Sequence, residues 1–113
     1  MKKFIVLYSA PSSAAEKMSK SSPEDMKKGM EAWMEWSKKV GSGLVDFGTP
    51  LGNAQKVTKD GASASDSQVN GYTILQAENM DAAVEMLKGH PHLDWADGCS
   101  IEVYESLPVP GME

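Results

Sequence analysis

The chain of 113 residues contains no arginine, so all 11 of its basic residues are lysines. Arginine supplies the rigid bidentate fork that suits phosphates and base edges, whereas lysine is a flexible point charge. The formal net charge is −5 and the pI is about 5.0, while domains that bind nucleic acid are usually basic. We therefore expect no nucleic-acid partner.

Cysteine and long apolar runs are also scarce. Cys99 is the single cysteine, so no disulfide can form within the chain, which suits a reducing compartment. No stretch approaches the roughly 18 apolar residues of a membrane span. The apolar run that begins at Phe4 is at the short limit for a secretory signal. The sequence predicts a cytoplasmic protein without a membrane partner.

The length and composition of the chain are sufficient for one domain. A chain of this length can bury about two-thirds of its unfolded surface in a single core. Its apolar fraction of 41% and charged fraction of 24% are near the averages for globular proteins. Because Pro108, Pro110 and Gly111 interrupt the end of the chain, we predict a domain at 1–105 followed by a loose tail at 106–113.

The predicted order of elements is β-α-β-β-β-α-β. A continuous apolar run predicts a strand at 4–8, and the motif Ser22-Pro23-Glu24-Asp25 predicts the start of a helix that ends at Gly41. The later elements are strands at 44–48, 55–59 and 71–77, a helix capped by Asn79 that stops at Gly89, and a strand at 100–104. Residues 12–22, 62–68 and 90–98 are predicted to be loops.

Without the short strand at 55–59, this order is β-α-β-β-α-β, the split βαβ pattern of the ferredoxin-like fold. Two helices cover one face of such a sheet and leave the other face bare. The apolar run at 4–8 is typical of a strand that is covered on both faces. We therefore predict an α+β chain, ferredoxin-like with an extra short hairpin strand, that forms a dimeric α/β barrel with a second copy of itself.

Several segments match one known family. They are Lys3–Tyr8, the first helix with its tryptophans, Gly48–Gly52, Gly71–Leu75, and His90–Leu93 together with Ser100–Val103. With these segments the chain resembles the YCII-related family, including its DGPF branch, up to about Glu105. The resemblance implies a ferredoxin-like dimeric α/β barrel with a pocket between sheet and helices. Two family features are absent: the DGPF signature, and the early histidine of a His–Asp dyad proposed for some members.

The segment His90-Pro91-His92-Leu93-Asp94 is the strongest candidate for chemistry. If the segment is extended, both histidines lie on one side of it. Imidazole can act as a general base, or as a metal ligand with Asp94 or Asp97 as a third donor. The alternative is a connector whose histidines cap the preceding helix and bond nearby carbonyls. Because no cofactor or metal motif occurs in the chain, we predict neither a cofactor nor a metal.

Other candidates come from the strands and from the first helix. Asp46 could serve as a general base if it is buried, whereas strand alternation would point it to solvent. The aromatic candidates for a ligand pocket, each of which could instead be ordinary core, are Tyr8, Trp33, Trp36 and Tyr72. Met26, Met30 and Met34 accompany the tryptophans as an adaptable apolar patch, expected in the core, a pocket or a dimer seam.

Two classes of function follow from these candidates. The first is a module that binds a small, partly apolar molecule in a pocket between sheet and helices. The alternative is a cofactor-free enzyme for proton transfer, or for lactone or aromatic-intermediate chemistry, with His90, His92 or Asp46 as the general base. The sequence leaves open whether the chain is an enzyme, since this fold hosts many functions.

Overall fold

The computed structural model describes residues 1–11, 22–95 and 97–111. The strands are β1 (Lys2–Ser9), β2 (Leu44–Asp46), β3 (Gln55–Thr58), β4 (Gly61–Ala64), β5 (Val69–Ala77) and β6 (Ser100–Glu105). The helices are α1 (Pro23–Val40), α2 (Met80–Leu87) and α3 (Pro91–Trp95), and a 3₁₀ turn at Gly41–Gly43 follows α1. None of these helices is long and apolar enough to cross a membrane.

Four strands form one antiparallel sheet in the order β2-β5-β1-β6. The two central strands are β1 and β5, and β5 separates β1 from β2. This is the split βαβ arrangement, because the strand that follows α1 lies one strand away from the strand that precedes it. The predicted ferredoxin-like α+β fold is confirmed.

The capping residues of α1 are those that the sequence predicts. Ser22 Oγ accepts a hydrogen bond from the Asp25 backbone N–H at 3.1 Å, and the Asp25 carboxylate accepts one from Ser22 N–H at 3.4 Å. This reciprocal pair satisfies two N–H groups that the first turn leaves free. The helix ends at Gly41, whose φ of 61° lies in the left-handed region that glycine enters without a steric penalty.

The core lies between the sheet and the helices. Alternate side chains of the central strands point towards the helices, and Phe4, Val6 and Leu75 among them are fully buried. The residues that pack against them from α1 and α2 include Trp36, Ala83 and Leu87. The remaining side chains of β1 and β5 point to the other face of the sheet, where Ile5 is 40% exposed.

Two predicted loops contain regular structure, so those predictions are wrong in part. Residues 61–64 form β4, which pairs with β3 from Thr58 opposite Gly61 to Gln55 opposite Ala64. Small residues without a strong strand preference pair here because the turn at Asp60 brings them opposite β3. Residues 91–95 form α3, since Pro91 is well placed in a first helical turn.

Three other expectations have different outcomes. The methionine patch of α1 is exposed rather than in the core, since Met26, Met30 and Met34 are each about half exposed. The loop expected at 12–22 lies outside the described residues except for Ser22. The division into a domain at 1–105 and a tail at 106–113 stays a prediction.

Candidate functional site

Five aromatic side chains from three parts of the chain meet between the sheet and the helices. They are Tyr8 on β1, Trp33 and Trp36 on α1, and His90 and His92 at the start of α3, and we call them the aromatic site. The Trp33 and Trp36 ring centroids each lie 4.4 Å from that of His90. The Tyr8 centroid lies 4.8 Å from that of Trp33 and 5.0 Å from that of His90.

Local backbone structure places the two histidines. The His90 N–H donates to the Leu87 carbonyl at 3.2 Å, and the Leu93 N–H donates to the His90 carbonyl at 3.1 Å. His90 is therefore the point at which the chain leaves α2 and enters α3. Because α3 is helical, the segment is not extended, yet both histidines still reach the core side of the sheet.

His90 is fully buried, with no exposed surface. Its Nδ1 accepts a hydrogen bond from the His92 backbone N–H at 3.0 Å, so the neutral ring carries its proton on Nε2. Burial, together with a smaller repulsion from His92, lowers the His90 pKa from 6.5 to about 4. At neutral pH the ring is uncharged, and its Nε2–H has no hydrogen-bond partner among the described residues.

His92 is also buried, but both its position and its bonding differ from those of His90. Its Nε2 lies 2.8 Å from the Ser9 carbonyl oxygen. A carbonyl can only accept, so Nε2 carries the proton and Nδ1 is the remaining acceptor of the neutral ring. The His92 ring lies 5.3 Å from that of Tyr8 and 6.3 Å from that of Trp95.

The Tyr8 hydroxyl is held by a short chain of hydrogen bonds. It lies 2.7 Å from Thr73 Oγ1, and Thr73 Oγ1 donates to the Phe47 carbonyl at 2.9 Å. A threonine hydroxyl has one proton, so Tyr8 must be the donor to Thr73. Burial raises the pKa of Tyr8 to about 12, and the bond with Thr73 opposes part of that rise. Tyr8 therefore stays protonated at neutral pH.

The two tryptophans have different surroundings. Trp36 is buried, and its Nε1–H donates to the Met86 carbonyl at 2.9 Å. Trp33 is only half-buried, and its ring lies 6.1 Å from that of Phe47. Trp33 is therefore the member of the aromatic site that solvent reaches.

Asp46 and Tyr72 lie apart from the aromatic site. Asp46 is exposed, and its carboxylate accepts bonds from the Gly48 N–H at 2.9 Å and from the Tyr72 hydroxyl at 3.5 Å. Tyr72 precedes the inward-facing Thr73 on β5, so its side chain points to the opposite face of the sheet. The structure thus brings together His90, His92 and the aromatic candidates other than Tyr72, but not Asp46.

No group of three His, Cys, Asp or Glu side chains is arranged to hold a metal ion in the parts of the chain that the structure describes. A shallow groove of about 440 Å³ lies where the β3–β4 hairpin joins β5. Its lining, which includes Asn53, Gln55 and Ser67, contains none of the predicted site residues and no titratable side chain. The groove therefore offers hydrogen bonds but no acid or base.

Sequence reasoning missed two parts of the site, Thr73 and the backbone carbonyls of Ser9 and Phe47. Thr73 could have been found, because it is the one polar side chain at an inward position of β5, between Gly71 and Leu75. The carbonyl acceptors leave no trace in the sequence, since every residue has one.

The fold and its strand order define this chain as a ferredoxin-like α+β domain. The structure is similar to that of the 5-chloro-2-hydroxyhydroquinone dehydrochlorinase TftG from Burkholderia phenoliruptrix AC1100, solved in complex with 2,5-dihydroxybenzoquinone. The two share 15% sequence identity with a TM-score of 0.51, over 90% of this chain and 91% of that chain. At this identity the likeness shows the fold alone. No protein-family model and no curated protein matches the sequence.

Proposed function

We propose that this protein binds a small, partly apolar molecule at the aromatic site. The observation that supports this most strongly is the buried Nε2–H of His90, which lacks a partner among the described residues and is surrounded by the rings of Tyr8, Trp33 and Trp36. An unsatisfied buried donor costs roughly 1–3 kcal/mol. A ligand oxygen that accepted this bond would recover that free energy.

The surrounding groups favour a flat ligand with a carbonyl or hydroxyl oxygen. Aromatic rings supply faces and edges against which another ring can pack, and a neutral imidazole donates to an oxygen without a net charge. Trp33 is half-exposed, so the ligand would approach from its side. The ligand in the TftG complex, 2,5-dihydroxybenzoquinone, is a flat ring of this kind and provides a first probe.

Calorimetric titration with 2,5-dihydroxybenzoquinone tests this proposal. We expect saturable binding that weakens by about tenfold or more in His90→Phe, because this change keeps an aromatic ring but removes the N–H donor. The matched control is Tyr72→Phe, which removes a hydroxyl from the opposite face of the sheet and should leave the affinity unchanged. Equal affinities in wild type and a folded His90→Phe variant would refute the role of the donor.

A second candidate, a cofactor-free enzyme, is favoured by the different hydrogen bonding of the two histidines. A neutral imidazole N–H can polarise a substrate carbonyl, which the His90 Nε2–H is free to do. His90 Nδ1 is already engaged by the His92 N–H, so the acceptor available for a general base is His92 Nδ1. In this form of the proposal, His90 donates to the substrate oxygen and His92 accepts a proton.

Deuterium exchange of the α-protons of cyclohexanone, followed by proton NMR, tests the enzyme candidate. Catalysed exchange that is lost in His92→Gln while the melting temperature is retained supports it. If His92→Gln collapses the fold instead, or if wild type does not accelerate the exchange, the binding proposal alone remains.

We further propose that two copies of the chain associate through the face of the sheet opposite the helices, which we call the open face. Ile5 pairs with Ile74 on one side and with Tyr104 on the other, so their side chains form an apolar row across three strands. Ile5 is 40% exposed and Tyr104 is exposed as well. A second copy would cover this row and close the barrel that the fold type implies.

Sedimentation velocity over a range of concentrations tests the dimer. Ile5→Asp should dissociate it, since a charge would be buried in an apolar interface. Val84→Asp on α2 is the matched control, because Val84 is also 40% exposed but lies on the helix side. A wild-type chain that sediments as a monomer would refute the proposal.

Two classifications complete the proposal. We assign the chain to the YCII-related family on the segments that resemble it, above all His90–Leu93 with Ser100–Val103. We place it in the cytoplasm because its single cysteine suits a reducing compartment.

A further inference from the structure

The aromatic site is closed in the free protein. The His90 ring has no accessible surface, so no space large enough for a water molecule, open or enclosed, touches it. Its Nε2–H is nevertheless the buried donor that lacks a partner among the described residues. A ligand therefore reaches this donor only after a neighbouring side chain has moved.

Trp33 is the ring of the aromatic site that is free to move. The other four rings are buried, and each takes part in a hydrogen bond described above. The Trp33 indole is half-buried and makes no hydrogen bond among the described residues. It contacts Tyr8 and His90 edge to face, at interplanar angles of 74° and 86°, and such contacts add only about 1 kcal/mol each. Moving Trp33 thus breaks no hydrogen bond, whereas moving any of the other rings breaks one.

The surface of α1 has a place for a displaced indole. A long side chain on a helix lies over the preceding turn, near the residues three and four positions before its own. For Trp33 these residues are Met30, which is exposed, and Gly29. No described atom lies within 4 Å of a Cβ placed on Gly29. Glycine costs roughly 1 kcal/mol relative to alanine inside a helix, and here it leaves the turn before Trp33 uncovered.

We propose that the Trp33 indole occupies the ligand position in the free protein and that a ligand binds by displacing it onto the Gly29 surface of α1. This inference rests on the binding function proposed above and adds the shape of the ligand. The space that opens beside His90 is the space of an indole. It accepts a flat ring system of at most two fused rings, with an oxygen placed to accept from the His90 Nε2–H. The ligand binds only the open state, so its apparent affinity is reduced by the fraction of molecules that are open.

Calorimetric titration of Trp33→Ala with 2,5-dihydroxybenzoquinone tests the displacement. The variant leaves the ligand position empty, so we expect it to bind about tenfold more tightly than wild type, as for an open state populated to about one part in ten. Met34→Ala is the matched control, because it shortens an exposed neighbour on the same helix and should leave the affinity unchanged. Equal or weaker binding by a folded Trp33→Ala would mean that the indole is a fixed wall of the site, and displacement would be overturned.

A second pair of variants keeps the indole and tests where it goes. Gly29→Leu and Gly29→Ala both introduce a good helix former, but only leucine is large enough to fill the place of the displaced indole. Gly29→Leu should weaken binding by about fivefold or more, because the open state becomes rarer, while Gly29→Ala should not weaken it. Equal affinities in the two variants would overturn the Gly29 surface as the destination of the indole.

Fluorine NMR of protein labelled with fluorotryptophan follows the movement without a change at the site. The chain has three tryptophans, and Trp33→Phe assigns the Trp33 resonance. When the probe saturates the protein, this resonance should acquire the solvent isotope shift of a fully exposed indole, while the Trp36 resonance keeps that of a buried ring. An isotope shift of Trp33 that stays the same on saturation contradicts displacement.

The outcomes separate this inference from the proposed function. If neither wild type nor Trp33→Ala binds the probe, both fail. If wild type binds and His90→Phe weakens that binding, but Trp33→Ala does not strengthen it, the aromatic site remains the ligand site and displacement alone fails. Binding by Trp33→Ala in the absence of binding by wild type supports displacement, because the indole then blocks the site.

Discussion

The buried neutral His90 makes the stability of the fold depend on pH in a defined window. In the unfolded chain this histidine titrates at its ordinary value of 6.5, while in the fold burial lowers its pKa to about 4. Between pH 6.5 and about 4, the unfolded state binds a proton on His90 and the folded state does not. Acid therefore favours unfolding, and stability falls as the pH falls from 6.5 to about 4. Below that window both states bind the proton, and His90 contributes no further loss.

The size of this effect follows from the two pKa values. Each pKa unit is worth about 1.4 kcal/mol, so the full window amounts to about 3 kcal/mol of unfolding free energy. Small domains have only about 5–15 kcal/mol in total. The loss should therefore be easily visible in urea unfolding followed by tryptophan fluorescence at a series of pH values.

Carboxylates also titrate near the lower end of this window, so the His90 contribution must be isolated. The difference in unfolding free energy between wild type and His90→Gln serves this purpose, because the variant lacks only the titrating imidazole. As the pH falls from 6.5 to 4, wild type should lose about 3 kcal/mol of unfolding free energy relative to His90→Gln. A difference that is independent of pH would refute the reasoning.

A direct measurement does not depend on a folded variant. The chain has only two histidines, so proton NMR shows two imidazole Cε1–H resonances. That of His90 should keep its neutral chemical shift in the folded protein until the pH approaches 4. Titration of the His90 resonance near 6.5 in the folded state would show that His90 is not buried as described.

Three further changes test the local structure, each by urea unfolding. Gly48→Ala should destabilise the fold by about 2 kcal/mol or more, because Gly48 has a φ of 82° and a Cβ there would collide with the Tyr72 carbonyl; an unchanged midpoint would contradict this backbone geometry. Ser22→Ala should cost about 1 kcal/mol through loss of the α1 cap, whereas Ser63→Ala, on the exposed hairpin, should cost nothing measurable and serves as its control. Tyr8→Phe should cost about 1 kcal/mol, since Thr73 Oγ1 loses its buried donor; Tyr104→Phe removes an exposed hydroxyl for comparison, and equal losses in the two would contradict the buried hydrogen-bond chain.

The sequence predicted those features that depend on neighbouring residues. The start of α1 follows from Ser22 and Pro23, and α2 begins after Asn79 as expected, because its side chain accepts from the Ala82 N–H at 2.8 Å. The strand at 61–64 and the helix at 91–95 were missed for a shared reason. Each is too short to show a hydrophobic period, so only its partners in the fold determine its structure.

The candidate site was predictable in its residues but not in its bonding. The sequence indicated Tyr8, Trp33 and Trp36 as pocket or core residues, and all three rings lie between the sheet and the helices. Their role in binding a ligand stays a prediction. Nothing local indicates that His92 bonds a carbonyl 83 residues away in sequence, or that His90 is left with an unpaired N–H. These contacts depend on where α3 meets β1, which is a property of the assembled fold.

The position of Asp46, apart from the histidines, also depends on the assembled fold and not on the neighbouring residues. The sequence places Asp46 in a short strand and the histidines after the second helix, and either face of the sheet is compatible with that order. The pairing of β2 with β5 determines on which face Asp46 lies. A register shift between Leu44 and Asp46 leaves the Asp46 carboxylate beside Tyr72 instead of Thr73. If the chain is an enzyme as proposed above, the general base within the aromatic site is therefore His92. A proton-transfer activity that survives in His92→Gln but is lost in Asp46→Asn would place the reaction on the open face instead.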